Sequence, residues 1–140
     1  MAETTIPRPP WAIAAALVAL AFGVVTIFVG GKTLFDPARR VVAGNIVPFV
    51  LWFNFIAGFA YVAAGFGIFR WKPWAAHLSV AIAIATIAVL LAFAIHVAVG
   101  GAFETRTVGA MTVRSLLWIA IAVATCRAFE CLPRAASRSA

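Results

Sequence analysis

The sequence predicts an all-α integral membrane protein built as a four-helix bundle, and three observations lead there. Hydrophobic residues make up 65 % of the chain and charged residues only 11 %. Mean hydropathy is +1.08. The apolar residues gather into four long runs, separated by short connections that carry most of the charge. A soluble domain of 140 residues needs far more polar surface to cover its core. Residues 1–140 are therefore expected to form one transmembrane domain, with no room for a water-soluble catalytic domain.

The first span is expected at about residues 11–30, behind Pro7-Arg8-Pro9-Pro10. Proline at the first helical position costs little, because that N–H has no partner in any helix. Roughly 20 residues at ~1.5 Å each reach ~30 Å, the thickness of a hydrocarbon core. A secretory signal peptide is the competing reading. Its apolar region would be only about 7–15 residues long and end at a small-residue cleavage site. The longer run here favours an uncleaved helix. The second span is expected at about 47–69, ahead of Arg70-Trp71-Lys72-Pro73-Trp74, and the third at about 74–99, stopping at Gly100-Gly101. The fourth is shorter in apolar content, with about a dozen uncharged residues between Arg114 and Arg127, or ~18 Å of helix. It must run past both arginines, at about 111–131, with their guanidinium groups snorkelling to the interfaces or pairing inside the protein. Pro133 would end it, leaving residues 134–140 as a basic terminus.

Tryptophans mark the edges. Trp11, Trp71 and Trp74 fall on one side as an interfacial belt, while Trp52 and Trp118 fall towards the other and have packing inside the bundle as their alternative. With both termini on one side, that side carries Arg8, Arg70, Lys72, Arg127, Arg134 and Arg138, against Lys32, Arg39, Arg40, Arg106 and Arg114 opposite. Six against five separates the sides weakly; the basic residues beside Trp71 and Trp74 favour cytoplasmic termini. The net charge of +7 reads as flanking Arg and Lys meeting anionic headgroups, with no nucleic acid implied. Arg outnumbers Lys nine to two and Ala is abundant, as in a GC-rich bacterial genome. A bacterial cytoplasmic (inner) membrane is the expected location. Cys126 and Cys131 are five apart, form neither a CxxC pair nor a zinc site, and on a helix would not share a face well. Free thiols are expected.

The two halves echo one another. Val29-Gly30-Gly31 and Val99-Gly100-Gly101 close the first and third spans. Phe35-Asp36 and Phe103-Glu104 follow, then spans containing Leu51-Trp52 and Leu117-Trp118. Duplication would give two pseudo-repeated helical hairpins; chance recurrence of common membrane residues is the alternative. Either way, the two longer connections emerge on one face. Residues 35–42 there would form a short amphipathic helix in the interface.

Small residues at helical spacing predict tight packing: Ala12, Ala16, Ala19, Gly23 and Gly30 in the first span, Ala81, Ala85, Ala88 and Ala92 in the third. Asn54, Gly58, Tyr61 and Gly65 share a stripe of the second, where Asn54 and Tyr61 act as interhelical glue or line a ligand cavity. His96 would be a satisfied structural imidazole, or would meet a metal, a haem or a quinone carbonyl. His77 lies about 28 Å away along the axis, which excludes bis-His haem within a monomer. Glu104, Arg106 and Arg114 form the remaining group. A Glu104–Arg114 pair would let the arginine enter the low-dielectric zone; alternatively Lys32, Arg106 and Arg114 would bind an anionic or carbonyl-bearing ligand. No triad, phosphate loop, HExxH motif or paired carboxylate is present, so catalysis by this chain alone is not expected.

Phe28-Val29-Gly30-Gly31-Lys32-Thr33-Leu34-Phe35, together with the glycine-punctuated stretch Asn54 to Ile68, resembles the DoxX-like group of small four-helix membrane proteins. Lys32 would fill that family's Gly-x-x-Lys-Leu-like ending, with Thr33 standing before Leu34. Where the family often carries an acidic residue early in the second helix, this chain has Asn54. The likeness covers the first two-thirds of the chain. It implies a membrane component of a quinone-linked or other redox assembly.

The leading functional expectation is a non-catalytic accessory or assembly subunit that docks on a larger membrane (redox) complex or on itself, with Arg39 and Arg40 at the docking face. No bound cofactor is expected in that case. The alternatives are a small-molecule or ion transporter acting as an oligomer, and a redox protein holding quinone or haem near His96.

Overall fold

In a computed structural model, residues 7–131 are described; Pro133 and the tail 134–140 lie outside them. Five helices follow one another: α1 (Pro10–Phe35), α2 (Pro37–Ala43), α3 (Pro48–Phe69), α4 (Pro73–Ala98) and α5 (Thr105–Phe129). All but α2 are long and apolar enough to cross a membrane. The protein is a multi-pass helical membrane bundle, and a short helix, α2, follows the first span close to the expected residues 35–42.

Prolines set most of the helix starts, at Pro10, Pro37, Pro48 and Pro73. The ends are set differently, and here two expectations fail. The first span does not stop at Gly30-Gly31 but continues to Phe35. That glycine pair serves close approach instead: a Cβ on Gly30 would stand 3.4 Å from Phe55 Cβ of α3, and one on Gly31 3.3 Å from Phe55 Cε2. Termination waits for Asp36, which the following proline pushes to an extended conformation (φ −112°, ψ 108°). Its Oδ1 then accepts the Ala38 N–H at 3.0 Å and caps α2. Gly100-Gly101, by contrast, does end α4. Gly100 takes φ +87°, and a Schellman pair forms from Gly101 N to His96 O (2.9 Å) and Gly100 N to Val97 O (3.0 Å).

The second correction is at α5, which starts at Thr105 rather than near 111. Nothing between Thr105 and Met111 breaks a helix, and 25 residues give it the length to cross. Arg114 therefore sits inside the span and not at its edge.

The bundle is inverted relative to a soluble protein. Its core is lined by Ala12, Ala16, Ala19, Ala57, Ala64 and Ala75, while Leu17, Phe28, Ile56, Ile84, Leu91 and Leu116 point outward. Small side chains let backbones approach where lipid offers no hydrophobic drive to associate. The tightest seam is α1 on α3, where Gly23 lies against Gly58 and Val62, and Gly65 against Leu20 and Ala16. Buried Ser79, Thr86, Ser115 and Thr125 each donate to the carbonyl four residues back at 2.7–2.8 Å, so their hydroxyls are satisfied within their own helices.

The packing runs α1 on α3, α3 on α4 and α4 on α5, leaving the circuit loose between α5 and α1. The closest packing is within the sequential pairs α1/α3 and α4/α5, with α3 on α4 joining them. At the end of the bundle where the described residues start and finish, Trp71 bridges the loose seam beside a recess lined by Pro7, Trp11, Ala124 and Arg127. Its ring lies 5.8 Å from that of Trp11 on α1 and 4.5 Å from that of Phe129 on α5. Trp71 reaches this place in a left-handed conformation (φ 52°), occupying the position in α3's own Schellman turn that usually holds glycine.

Candidate functional site

At the opposite end the seam between α1 and α5 stays open. A cleft of about 390 Å³ runs down it, bounded by Phe22, Val25, Thr26, Val29, Gly30 and Thr33 of α1, by Leu51 and Asn54 of α3, and by Gly109, Ala110, Val113 and Arg114 of α5. Val25, Val29 and Val113 on its rim are exposed, so it opens sideways towards lipid. Above it lies a second lobe of about 350 Å³ under α2, reaching Arg39, Asn45, Glu104, Arg106 and Thr107. Val29, Thr33, Leu51 and Asn54 line both lobes, which therefore adjoin one another between the α2 end and the inside of the bundle.

Arg114 stands at the inner end. Nine residues of helix separate it from Thr105, about 14 Å of depth along the axis. Its side chain is only 7 % exposed, so it neither snorkels to the interface nor faces lipid. One Nη1 donates to Asn54 Oδ1 at 2.6 Å and more weakly to Met111 Sδ at 3.4 Å. The guanidinium carbon lies 5.4 Å from the Phe22 ring and 6.0 Å from the Tyr61 ring, within cation–π range. Its Nε is buried and has no acceptor among the described residues. The arginine is thus held by an amide, a thioether and two aromatic faces. Among the described residues its nearest oxygen partner is neutral.

The expected Glu104–Arg114 pair does not form. Glu104 Oε1 accepts instead from Asn45 N (2.9 Å) and Asn45 Nδ2 (3.3 Å), tying the α2–α3 connection to the start of α5. Gly44 makes this possible. Its φ of +80° suits glycine, and a Cβ there would run into the Glu104 carboxylate. The physical reason for the missed pair is the early start of α5: more than two turns of helix separate Glu104 at the edge from Arg114.

The other candidates divide. Asn54 joins Arg114, and Tyr61 lies behind it, wholly buried, with Thr86 and Arg114 as polar neighbours. Tyr61 stacks obliquely on Trp118 at 4.8 Å. The two ambivalent tryptophans have therefore parted: Trp118 is in the core and Trp52 is 47 % exposed. Arg106 and Arg39 flank the outer lobe. Arg40 turns away and donates to Leu34 O at 3.0 Å, closing the C-terminal end of α1. Lys32 lies outside the cleft lining, with Nζ 4.1 Å over the Phe28 ring. His96 is also apart. Its Nε2 lies 3.1 Å from Ala102 O, and its ring stacks on Phe93 at 6.5 Å and meets Phe49 edge-on at 6.2 Å, which is the structural role for a histidine. Cys126 and Cys131 are free, but the left-handed turn at Glu130 brings Cys131 back beside Cys126, contrary to ideal helix spacing.

Sequence reasoning missed the α1 wall of the cleft. Phe22, Thr26, Val29 and Thr33 recur at helical spacing and share one face, next to the small-residue stripe that drew attention to α3. Two threonines seven residues apart, the hydroxyl-bearing residues of a helix whose other polar side chain is Lys32, were the available signal. No protein-family model, no curated protein and no solved structure matches the chain.

Proposed function

We propose that this membrane protein is a non-catalytic binding subunit that holds a membrane-dissolved amphiphile, with an anionic or carbonyl-bearing head, in the cleft between α1 and α5. The observation that carries the proposal is the buried Arg114, with an unused Nε donor, at the inner end of a lipid-facing opening. A charged side chain at membrane depth costs on the order of 3 kcal/mol, and such residues mark binding or transport paths. Cross-linking with diazirine-bearing amphiphiles in nanodiscs tests it. Adducts should concentrate on α1 residues 22–33 and α5 residues 109–114. Labelling spread evenly onto the outward face of α4, at Ile84, Leu91 and Ile95, would remove the case for a site.

A second reading, the accessory subunit of a redox complex that the DoxX-like resemblance suggests, draws support from α2. Val41 and Val42 are each 82 % exposed there, beside Arg39 at the outer lobe. Co-purification in mild detergent, repeated with Arg39→Ala, tests it; retention of the same partner by both forms would take Arg39 out of the docking face. The location that accompanies both readings is a bacterial cytoplasmic membrane with both termini inside. Its support is the arginine-rich composition and the cluster Arg70, Trp71, Lys72 and Trp74.

A further inference from the structure

We infer that the head group taken by the α1/α5 cleft is an oxyanion, a carboxylate or phosphate at the end of a hydrocarbon chain, which serves as the counter-charge of Arg114. The inference rests on the cleft being the ligand site proposed above and assigns its chemical class.

Charge decides between the two kinds of head. Arg114 is buried with neutral partners, and its Nε lacks an acceptor. Arg39 and Arg106 add positive charge at the outer lobe. The carboxylate of that lobe, Glu104, is already engaged twice by Asn45 and lies more than two helical turns from Arg114. A neutral carbonyl would satisfy the Nε donor yet leave the buried charge uncompensated. An oxyanion satisfies both, through charge-assisted bonds about twice as strong as neutral ones. Below the outer lobe the walls turn apolar, and Val25, Val29 and Val113 leave the side open for a chain to lie out into lipid. The about 14 Å depth of Arg114 along α5 suits a single-chain acid that can slide inward more readily than a headgroup fixed at the bilayer surface.

The test uses the full-length protein in phosphatidylcholine nanodiscs, with doxyl-labelled stearate and its methyl ester as probes and bound spin fraction as readout. Three forms are compared: wild type, Asn54→Asp and Gly109→Leu. Asn54→Asp is nearly isosteric and places a carboxylate 2.6 Å from the arginine, neutralising the site from within. Gly109→Leu fills the cleft from a position where an added Cβ meets nothing within 4 Å, so the fold has room for it. Stearate should bind wild type about tenfold or more tighter than the ester, and both variants should lose it by a similar factor.

Equal binding of acid and ester, or full stearate binding by Asn54→Asp, overturns the oxyanion assignment while leaving the cleft in place. Stearate binding untouched by Gly109→Leu, or no binding of either probe, overturns the cleft reading itself. Discs containing phosphatidylglycerol identify the source. Stearate retained there supports a single-chain acid, and its displacement supports the same oxyanion chemistry supplied by a phospholipid headgroup.

Discussion

Replacing Gly65 by alanine perturbs the α1–α3 seam at one of its close approaches. A Cβ built there would stand 2.9 Å from Leu20 Cγ, 3.0 Å from Leu20 N and 3.1 Å from Ala16 O. The leucine side chain can rotate, but the other two atoms are helix backbone and cannot. Ordinary contact begins near 3.4 Å, so α1 must give by a few tenths of an ångström along the seam. Gly23 and Gly58 share that seam and would lose their close approach in turn. Overpacking of this kind costs roughly 1–3 kcal/mol, and alanine returns about 1 kcal/mol through its helix propensity. The net expectation is a loss of up to about 2 kcal/mol, centred near 1 kcal/mol. Gly109→Ala supplies the control. It makes the same chemical change in a helix, with nothing within 4 Å of the new methyl, and should gain up to about 1 kcal/mol. Helicity followed by circular dichroism, while mixed micelles are titrated with a denaturing detergent, measures both. If Gly65→Ala is as stable as wild type, or if the two variants shift in the same direction, the glycine seam is not what sets the α1–α3 distance.

Two further substitutions probe single contacts. Trp118→Ala should cost ~3–5 kcal/mol because the indole is wholly buried against Tyr61, whereas Trp118→Phe should cost under about 1.5 kcal/mol since the Nε1–H has no partner to lose; equal losses in the same titration would mean that the N–H is bonded. Glu104→Ala frees Asn45 N and Nδ2, and should cost roughly 1 kcal/mol and speed hydrogen exchange at Asn45 relative to Val50; unchanged exchange would show that the connection is held by something else.

The spans were legible because the bilayer imposes length and hydropathy, and prolines at positions 10, 48 and 73 marked three starts within a residue or two. The glycine pairs were ambiguous for a definite reason. The same two letters end α4 through a positive φ at Gly100 and, at Gly30-Gly31, admit the Phe55 ring to an unbroken helix. Only the neighbouring helix separates the cases, and one chain's local sequence does not name that neighbour. Asn54 was picked out as a polar residue at membrane depth, and Arg114 as a charge at the membrane edge. Their union across 60 positions depended on α5 starting at Thr105, which shifts Arg114 two turns inward and away from Glu104. The cleft was legible only in fragments: Asn54 and Arg114 were named as ligand candidates, but its α1 wall of Phe22, Thr26, Val29 and Thr33 was not. It arises where α1 and α5 fail to pack, and the spacing of residues in α1 does not say that the facing helix is missing.

Asn54 holds the electrostatic argument, and two substitutions there should move stability in opposite directions. Asn54→Leu keeps the volume but removes the oxygen that accepts from Arg114 at 2.6 Å. A hydrogen bond to a charged group contributes about 1.5–3 kcal/mol, and its loss leaves a buried guanidinium with rings and a thioether for company. Asn54→Asp keeps the geometry and adds the missing charge. Making a buried ion pair from nothing gives little, because both ions must be desolvated. Here Arg114 is already desolvated by the fold, so only the aspartate's desolvation opposes the attraction. Removing one partner of a buried pair costs ~3–5 kcal/mol; supplying the absent one should recover part of that, on the order of 1–3 kcal/mol. Thermal unfolding in an uncharged detergent, without added amphiphile, gives the comparison. Asn54→Leu should unfold below wild type and Asn54→Asp above it. An aspartate that destabilises the bundle would mean that Arg114 already has its counter-charge, and the cleft would then have no call on an anion.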